Sequence, residues 1–264
     1  MYEWLQPLKN KDDSCYMDVV LNALFLDPSR GVENSLEDIS TCVPANNVCG
    51  TTSHQATRDI QSTIRDVADN LKMHREGVNY YLSLDDIRDS AKACPVLNDP
   101  ERFDKDGMND PSVFVDYLVE LFPCMKNLNS GESPLVYLER GPLKKINGME
   151  LSDVVDMHAD KTGEIFDNSE LVIFDITRLE GGKYNQNVKV VPDEILDEEQ
   201  LELTAVVVWK DYHYSVYVIV DGIWYYLDDT EEYVEKVGSY EDLLEHNDEF
   251  VSWDGKLFFY VALS

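Results

Sequence analysis

Three kinds of side chain in this sequence are suited to nucleophilic chemistry. Cys15 stands at a predicted helix start, where the helix dipole and unpaired backbone N–H groups stabilise a thiolate. A cysteine nucleophile also needs a base, and the base needs a group that orients it. His213 begins a strand-like run, and Asp228 and Asp229 end the next run, so a hairpin would return a carboxylate to the imidazole. The pattern predicts a thiol supported by an imidazole and a carboxylate.

The elements that must position these residues differ between the two halves of the chain. Apolar residues recur at helical spacing over 15–26, 55–76, 83–93 and from Asp110 to just before Pro123, with Asp13 and Ser14 available to cap the first helix. Strands rich in β-branched and aromatic residues are predicted over 135–138, 170–176, 203–209, 214–220, 223–227 and 257–263, and Asp221-Gly222 predicts a tight hairpin. Helices followed by strands indicate an α+β protein. We expect one domain over 1–264, with a mainly helical lobe in 1–134 and a mainly β lobe in 135–264.

The residues around the cysteine and the histidine are similar to those of a known family. Residues 8–10, 14–17 and 23–25 (Leu-Lys-Asn, Ser-Cys-Tyr-Met and Ala-Leu-Phe) resemble the cysteine box of the ubiquitin-specific proteases. Residues 212–214, 217–218, 222, 224–225 and 227–229 resemble that family's histidine box. Weaker matches at 109–118, 171–196 and 203–209 lie between the boxes in the family's order. The resemblance covers nearly the whole chain.

The resemblance implies a papain-like cysteine protease fold, in which the helical first half packs on an antiparallel sheet. It also implies a thiol protease that cleaves after the C-terminal Gly-Gly tail of ubiquitin. Cys15 would be the nucleophile, His213 the general base and later the acid, and Asp228 the group that orients the imidazole. Asn10 would donate a hydrogen bond to the developing oxyanion, and Asp229 would support the site through water. The implied partners are ubiquitin or ubiquitinated proteins, and no cofactor is implied.

Several positions depart from the family pattern. Asp12-Asp13-Ser14 stands where the family has Gly-Asn-Thr or Gly-Ala-Thr, and Asp18-Val19 stands where it prefers Asn-Ser. Carboxylates beside a thiol oppose its ionisation and favour a protonated imidazole. Asp211-Tyr212 replaces the glycines before the histidine. We expect Tyr212 to narrow the channel for the Gly-Gly tail, or alternatively to swing aside as a gate.

The cysteines predict no metal site. The five cysteines include no C-x-x-C pair, whereas the fingers of typical family members bind zinc through two such pairs. Cys42, Cys49 and His54 have no known zinc-ligand spacing. The odd number of cysteines and the absence of a signal-like start favour a reduced, intracellular protein of the cytoplasm or nucleus, in a host cell if the source is viral. We expect a monomer.

The charge of the chain restricts its partners. With 52 acidic and 22 basic residues, the net charge is −30, which repels phosphate backbones and anionic lipid. Nucleic acid and membranes are therefore not expected as partners, whereas a protein with a basic face is. An alternative interpretation of equal weight is that the acidic residues only keep the protein soluble. Two other functions stay open. One is a catalytically weak or inactive ubiquitin-binding module on the same scaffold, and the other is a thiol protease of a ubiquitin-like modifier or polyprotein.

Overall fold

The computed structural model describes residues 14–26, 54–75, 109–138, 143–164, 166, 168–177, 179–180, 183–184, 188–196, 200–231 and 234–263. It is a mixed helix-and-sheet structure of the α+β class. The helices are α1 (Cys15–Phe25), α2 (His54–Arg75), α3 (Pro111–Leu121), α4 (Leu151–Thr162) and α5 (Tyr240–Val251). The strands are β1 (Leu135–Tyr137), β2 (Met149–Glu150), β3 (Leu171–Asp175), β4 (Leu179–Glu180), β5 (Lys183–Tyr184), β6 (Val190–Val191), β7 (Ile195–Leu196), β8 (Leu201–Lys210), β9 (His213–Val220), β10 (Ile223–Leu227), β11 (Glu235–Gly238) and β12 (Gly255–Ala262).

The main sheet has the strand order β1-β3-β12-β8-β9-β10-β11, and β7 pairs with one end of β8. β1 runs parallel to β3, and the other pairs are antiparallel. Two-residue turns join β8 to β9 and β9 to β10. At the second turn Asp221 and Gly222 both have positive φ, as a type I′ hairpin turn requires. This confirms the hairpin predicted at Asp221-Gly222, which aligns the strands that bear the candidate site.

Both faces of the main sheet are covered by helices. Along β8, Ala205 and Val207 join the apolar cluster that α1, α2 and α3 share, while Val206 and Val208 join the cluster of α4 and α5. A strand that is apolar at successive positions must be covered on both sides. The sequence analysis predicted helices only in the first half of the chain, and that expectation missed α4 and α5. Their stripes of buried residues are narrow: α5 buries only Leu243 and Val251 among its described side chains.

The helix starts partly follow the sequence predictions. At α3, the Asp110 carboxylate accepts a hydrogen bond of 2.9 Å from the Ser112 backbone N–H, and Pro111 follows it, as predicted. Helix α2 agrees with its predicted range within one residue at each end. The helix predicted over 83–93 lies outside the described residues. At α1, Ser14 occupies the N-cap position, but its hydroxyl makes no capping bond and donates to Asp18 instead, at 2.8 Å.

A buried ion pair fixes α3 against the sheet. Lys256 on β12 lies 2.7 Å from the Asp175 carboxylate at the end of β3, and the two side chains are 4% and 1% exposed. The Ser112 hydroxyl of α3 donates to the same carboxylate at 2.5 Å. Burial raises the pKa of Asp175, and the Lys256 ammonium opposes that rise. Removal of either Lys256 or Asp175 would leave the other charge buried and uncompensated, so the position of the α3 start depends on both.

Candidate active site

Cys15 is the first residue of α1 and a buried free thiol, with 6% of its surface exposed. α1 packs against β9 and β8 of the sheet, so the helix start faces the beginning of β9. There Cys15 is close enough to the imidazole of His213 to raise the pKa of that ring. Cys124, by contrast, is disulfide-bonded, which differs from the expectation of a fully reduced set of cysteines.

The β9–β10 hairpin places the carboxylates beside His213. Val216 of β9 pairs with Leu227, the last residue of β10, so the next residues of the chain lie beside the start of β9. Nε2 of His213 is 2.9 Å from Oδ1 of Asp228. Since Nε2 is engaged by the carboxylate, Nδ1 is the ring nitrogen left for the Cys15 thiol. The structure thus brings Cys15, His213 and Asp228 together in a chain of contacts.

Asp228 is held in place by its own neighbours. Its Oδ1 accepts hydrogen bonds from the Thr230 backbone N–H at 2.9 Å and from the Thr230 hydroxyl at 2.6 Å. Its Oδ2 accepts one from the Tyr226 hydroxyl at 3.2 Å. Burial favours the neutral acid, but the bonds from His213 and Thr230 outweigh it and hold the pKa of Asp228 well below its usual range. Sequence analysis did not identify Thr230 or Tyr226; a threonine two residues after an aspartate is the local signal for such a turn.

The surroundings of the His213 imidazole favour its protonated form. Burial disfavours the charged ring, but the hydrogen bonds with Asp228 and Cys15, together with the charges of Asp229 and Asp228, raise the pKa of His213 to about 10. A protonated imidazole next to a thiol stabilises the thiolate form, which is the nucleophilic form. The ring also holds the proton that a leaving amine requires.

Asp229 lies closer to His213 than the sequence analysis assumed. Its Oδ1 is 3.2 Å from Nε2, with the Asp229 side chain 4% exposed, so it contacts the ring directly rather than through water. Behind it, Asp18 of α1 is buried, and the neighbouring Asp229 carboxyl raises the pKa of Asp18. Asp18 entered the sequence analysis as a departure from the family pattern, not as a site residue. The signal that could have identified it is a carboxyl among the apolar residues of a helix.

Of the two other predicted site residues, the structure describes Tyr212 but not Asn10. Tyr212 occupies the two-residue turn between β8 and β9 with a φ of 65°, and 78% of its surface is exposed. Its ring meets Trp209 edge to face, with the centroids 6.1 Å apart. Asn10 lies outside the described residues, as do Asp12 and Asp13. The geometry of the oxyanion donor is therefore not part of the described site.

The carboxylates and the imidazole are also close enough to be considered as metal ligands. One donor atom from each of His213, Asp228 and Asp229 lies within 4.8 Å of the other two. However, Oδ1 of Asp228 already accepts three hydrogen bonds, and Nε2 of His213 is used in one of them. Oδ1 of Asp228 and Nε2 of His213 are thus already used in hydrogen bonds within the protein, an arrangement suited to orienting the imidazole.

No protein-family model matches the chain, and no curated protein matches it either. Among the described residues no helix combines the length and apolar character needed to cross a membrane. The possible function of the site is therefore inferred from the chemistry of its residues. A thiol at a helix start, an imidazole beside it and a fixed carboxylate are the groups that thiol-based acyl transfer requires.

Proposed function

We propose that the protein is a cysteine protease that removes ubiquitin from conjugates by cleaving after the C-terminal Gly-Gly tail. The observation that carries the proposal is the contact chain from Cys15 through His213 to Asp228. The residues in this chain are those that the resemblance to the ubiquitin-specific proteases assigns to nucleophile, base and orienting carboxylate. The resemblance extends the proposal to the substrate, which the contact chain alone does not specify.

The arrangement of elements supports a papain-like fold. The nucleophile begins a helix that packs on a mainly antiparallel sheet, and the imidazole begins a strand of that sheet. The orienting carboxylate follows the neighbouring strand. Each catalytic group is thus attached to the end of a regular element, which limits its freedom before substrate binds.

The proposed reaction uses the ion pair of thiolate and imidazolium. Sγ of Cys15 attacks the carbonyl carbon of the terminal glycine, and the electron pair of the carbonyl moves to its oxygen. As the tetrahedral intermediate collapses, His213 gives its proton to the leaving lysine amine, and a thioester remains on Cys15. Water then attacks the thioester while His213 accepts a proton, which releases the ubiquitin carboxylate and regenerates the pair. Asn10 is the proposed donor to the oxyanion.

The acidity of the protein is consistent with this partner. The tail of ubiquitin carries arginines, and a chain with a net charge of −30 attracts a basic face. Attraction of this kind increases the rate of encounter and weakens with added salt. We therefore expect the KM for a ubiquitin substrate to rise with ionic strength.

The direct test is a ubiquitin molecule whose C-terminus carries an α,β-unsaturated methyl ester, to which a thiolate adds at the β-carbon. We expect a thioether between the probe and Cys15, found by intact mass and located by peptide mapping. Cys15→Ala should form no adduct but still bind ubiquitin, and Cys42→Ala should react like the unmodified protein. Binding of ubiquitin without an adduct would favour the non-catalytic ubiquitin-binding module. Reaction only with probes made from other ubiquitin-like modifiers would favour a protease of those proteins.

A further inference from the structure

A carboxyl group that the proposed mechanism does not use lies directly behind the site. Asp18 is one helical turn after Ser14 on α1 and is 1% exposed. Its Oδ2 accepts the hydroxyl proton of Ser14 at 2.8 Å. Its Oδ1 is equally buried and receives no hydrogen bond from a donor in the part of the chain that the structure describes. A buried carboxylate oxygen without a donor is costly, so this oxygen is where a proton would be expected.

The group that faces Asp18 is another carboxyl. Asp229, which follows β10, interacts with Asp18, and both are shielded from solvent. Two ionised carboxylates in contact repel each other strongly, and one proton between them removes the repulsion. Burial raises the pKa of Asp18 well above its usual range, and the neighbouring Asp229 raises it further. The charge of Cys15 acts in the same direction, whereas the hydrogen bond from the Ser14 hydroxyl lowers the pKa.

The proton belongs to Asp18 rather than to Asp229 because their other neighbours differ. Asp229 is 3.2 Å from Nε2 of His213, whose positive charge favours the ionised form of that carboxylate. Among the described residues, the other titratable groups of the site are Asp228, which contacts His213, Tyr226, which donates to Asp228, and Cys15, on the same helix as Asp18. With Asp18 neutral, two carboxylates face one imidazolium. With Asp18 ionised, a third buried negative charge would have no donor for its Oδ1 among the described residues.

We propose that Asp18 is a positioning residue of the site: as a carboxylic acid it donates a hydrogen bond to Asp229 and thereby holds that carboxylate against Nε2 of His213. The inference rests on the proposed function only for its effect on catalysis. The imidazole is then supported by two carboxylates, one fixed by Thr230 and the other by Asp18. Because Asp18 also accepts from Ser14, the same side chain ties the residue before the nucleophile to the segment that orients the imidazole.

Two substitutions separate the hydrogen bond from simple packing. Asp18→Asn has nearly the shape of the acid, keeps a donor for Asp229 and cannot ionise. Asp18→Leu fills the space without a donor. If Asp18 positions Asp229, NMR titration should give His213 the same raised pKa in Asp18→Asn as in the unmodified protein, and a lower pKa in Asp18→Leu. The His213 signal is assigned by its absence in His213→Gln.

Infrared spectroscopy tests the protonation state without any assay of activity. At neutral pH, the spectrum of the unmodified protein minus that of Asp18→Asn should contain the carbonyl stretch of a protonated carboxyl. The matched control is Asp66→Asn on the exposed side of α2, which should give only the bands of a carboxylate replaced by an amide. A carboxylate band lost in Asp18→Asn would overturn the proposal, because Asp18 would then be ionised.

Kinetics with a ubiquitin–fluorophore substrate tests the catalytic consequence. We expect Asp18→Asn to stay within about threefold of the unmodified protein, and Asp18→Leu to lose at least about tenfold in kcat with little change in KM, as for loss of a supporting contact. Should Asp18→Leu keep full kcat and the raised His213 pKa while folded, the positioning role is wrong. If the unmodified protein has no turnover but the infrared and NMR results hold, the proposed function fails while the role of Asp18 towards His213 stands.

Discussion

Oδ1 of Asp228 accepts three hydrogen bonds, and the one from Nε2 of His213, at 2.9 Å, connects it to the imidazole. The other two come from Thr230, which lies in the same turn and fixes the carboxylate independently of the ring. His213 is thus oriented by a group that does not itself depend on His213 for its position. The first prediction follows from this asymmetry.

His213→Ala should reduce activity more than Asp228→Asn does. The histidine transfers the proton, a contribution of about 10²–10⁴-fold in rate, whereas Asp228 only orients and stabilises the ring. Steady-state kcat on an isopeptide-linked ubiquitin substrate measures both losses, with thermal melts to verify folding. An Asp228→Asn loss equal to or larger than that of His213→Ala would contradict these roles. Thr230→Val, which removes one donor to Asp228, should have an intermediate and smaller effect.

The activity should decline at alkaline pH as His213 loses its proton. The pKa of His213 is raised to about 10, so the imidazolium that protonates the leaving amine is present below that pH and is lost as the pH rises through it. Asp228→Asn removes a negative charge beside the ring and should move the alkaline limb of kcat to lower pH. An alkaline limb that stays at the same pH in Asp228→Asn would assign that limb to another group.

The stability contributed by His213 should depend on pH with a defined sign. Its pKa is higher in the folded state, about 10, than its ordinary value of 6.5, so folding favours the protonated form. This contribution is complete below about 6.5 and disappears as the pH rises through about 10. The loss of Tm caused by His213→Gln should therefore be larger at pH 6 than at pH 10.5. A difference that grows with pH would reverse the sign and contradict the ion pairs at Nε2.

Tyr212 provides a test of access to the site. Its exposed ring stands in the turn directly before His213, and we predict that it slows entry of the Gly-Gly tail. Tyr212→Gly and Tyr212→Asn both suit the positive φ of this position, so both should raise kcat/KM without loss of Tm. Tyr212→Phe keeps the ring and is the control. A lower kcat/KM in the Gly and Asn variants at unchanged Tm would mean that the ring, through Trp209, supports the site instead.

The buried pair of Lys256 and Asp175 should dominate the stability of the α3 start. Lys256→Met removes the cation and leaves the Asp175 carboxylate buried, which should lower the free energy of unfolding by about 3–5 kcal/mol. Lys189→Met is the matched control, because Lys189 and its partner Asp248 are both about one third exposed. This substitution should lower the free energy of unfolding by less than about 1 kcal/mol. Equal losses in urea unfolding would show that burial does not distinguish the two pairs.

Local patterns in the sequence were sufficient for much of the framework. The pairing of β9 with β10 and the start of α3 depend on turn and capping residues next to each other in the chain, and Asp221-Gly222 and Asp110-Pro111 carry these signals. The helices α4 and α5 were missed because each is short, at 12 residues, and carries only a narrow stripe of buried side chains. The apolar run of β8 nevertheless already required a cover on its second face.

The identity of the reactive groups could be read from the sequence, but their relations could not. Residue types and their resemblance to a family nominated Cys15, His213 and Asp228 as a set. Only the packing of α1 on the sheet decided that Asp229 contacts His213 directly and that Asp18 faces Asp229 in a buried place. Such contacts join residues far apart in the chain, and the charge that each group holds depends on burial and on its neighbours' charges. Those quantities are properties of the folded molecule, so the tertiary structure alone determines where the protons of this site reside.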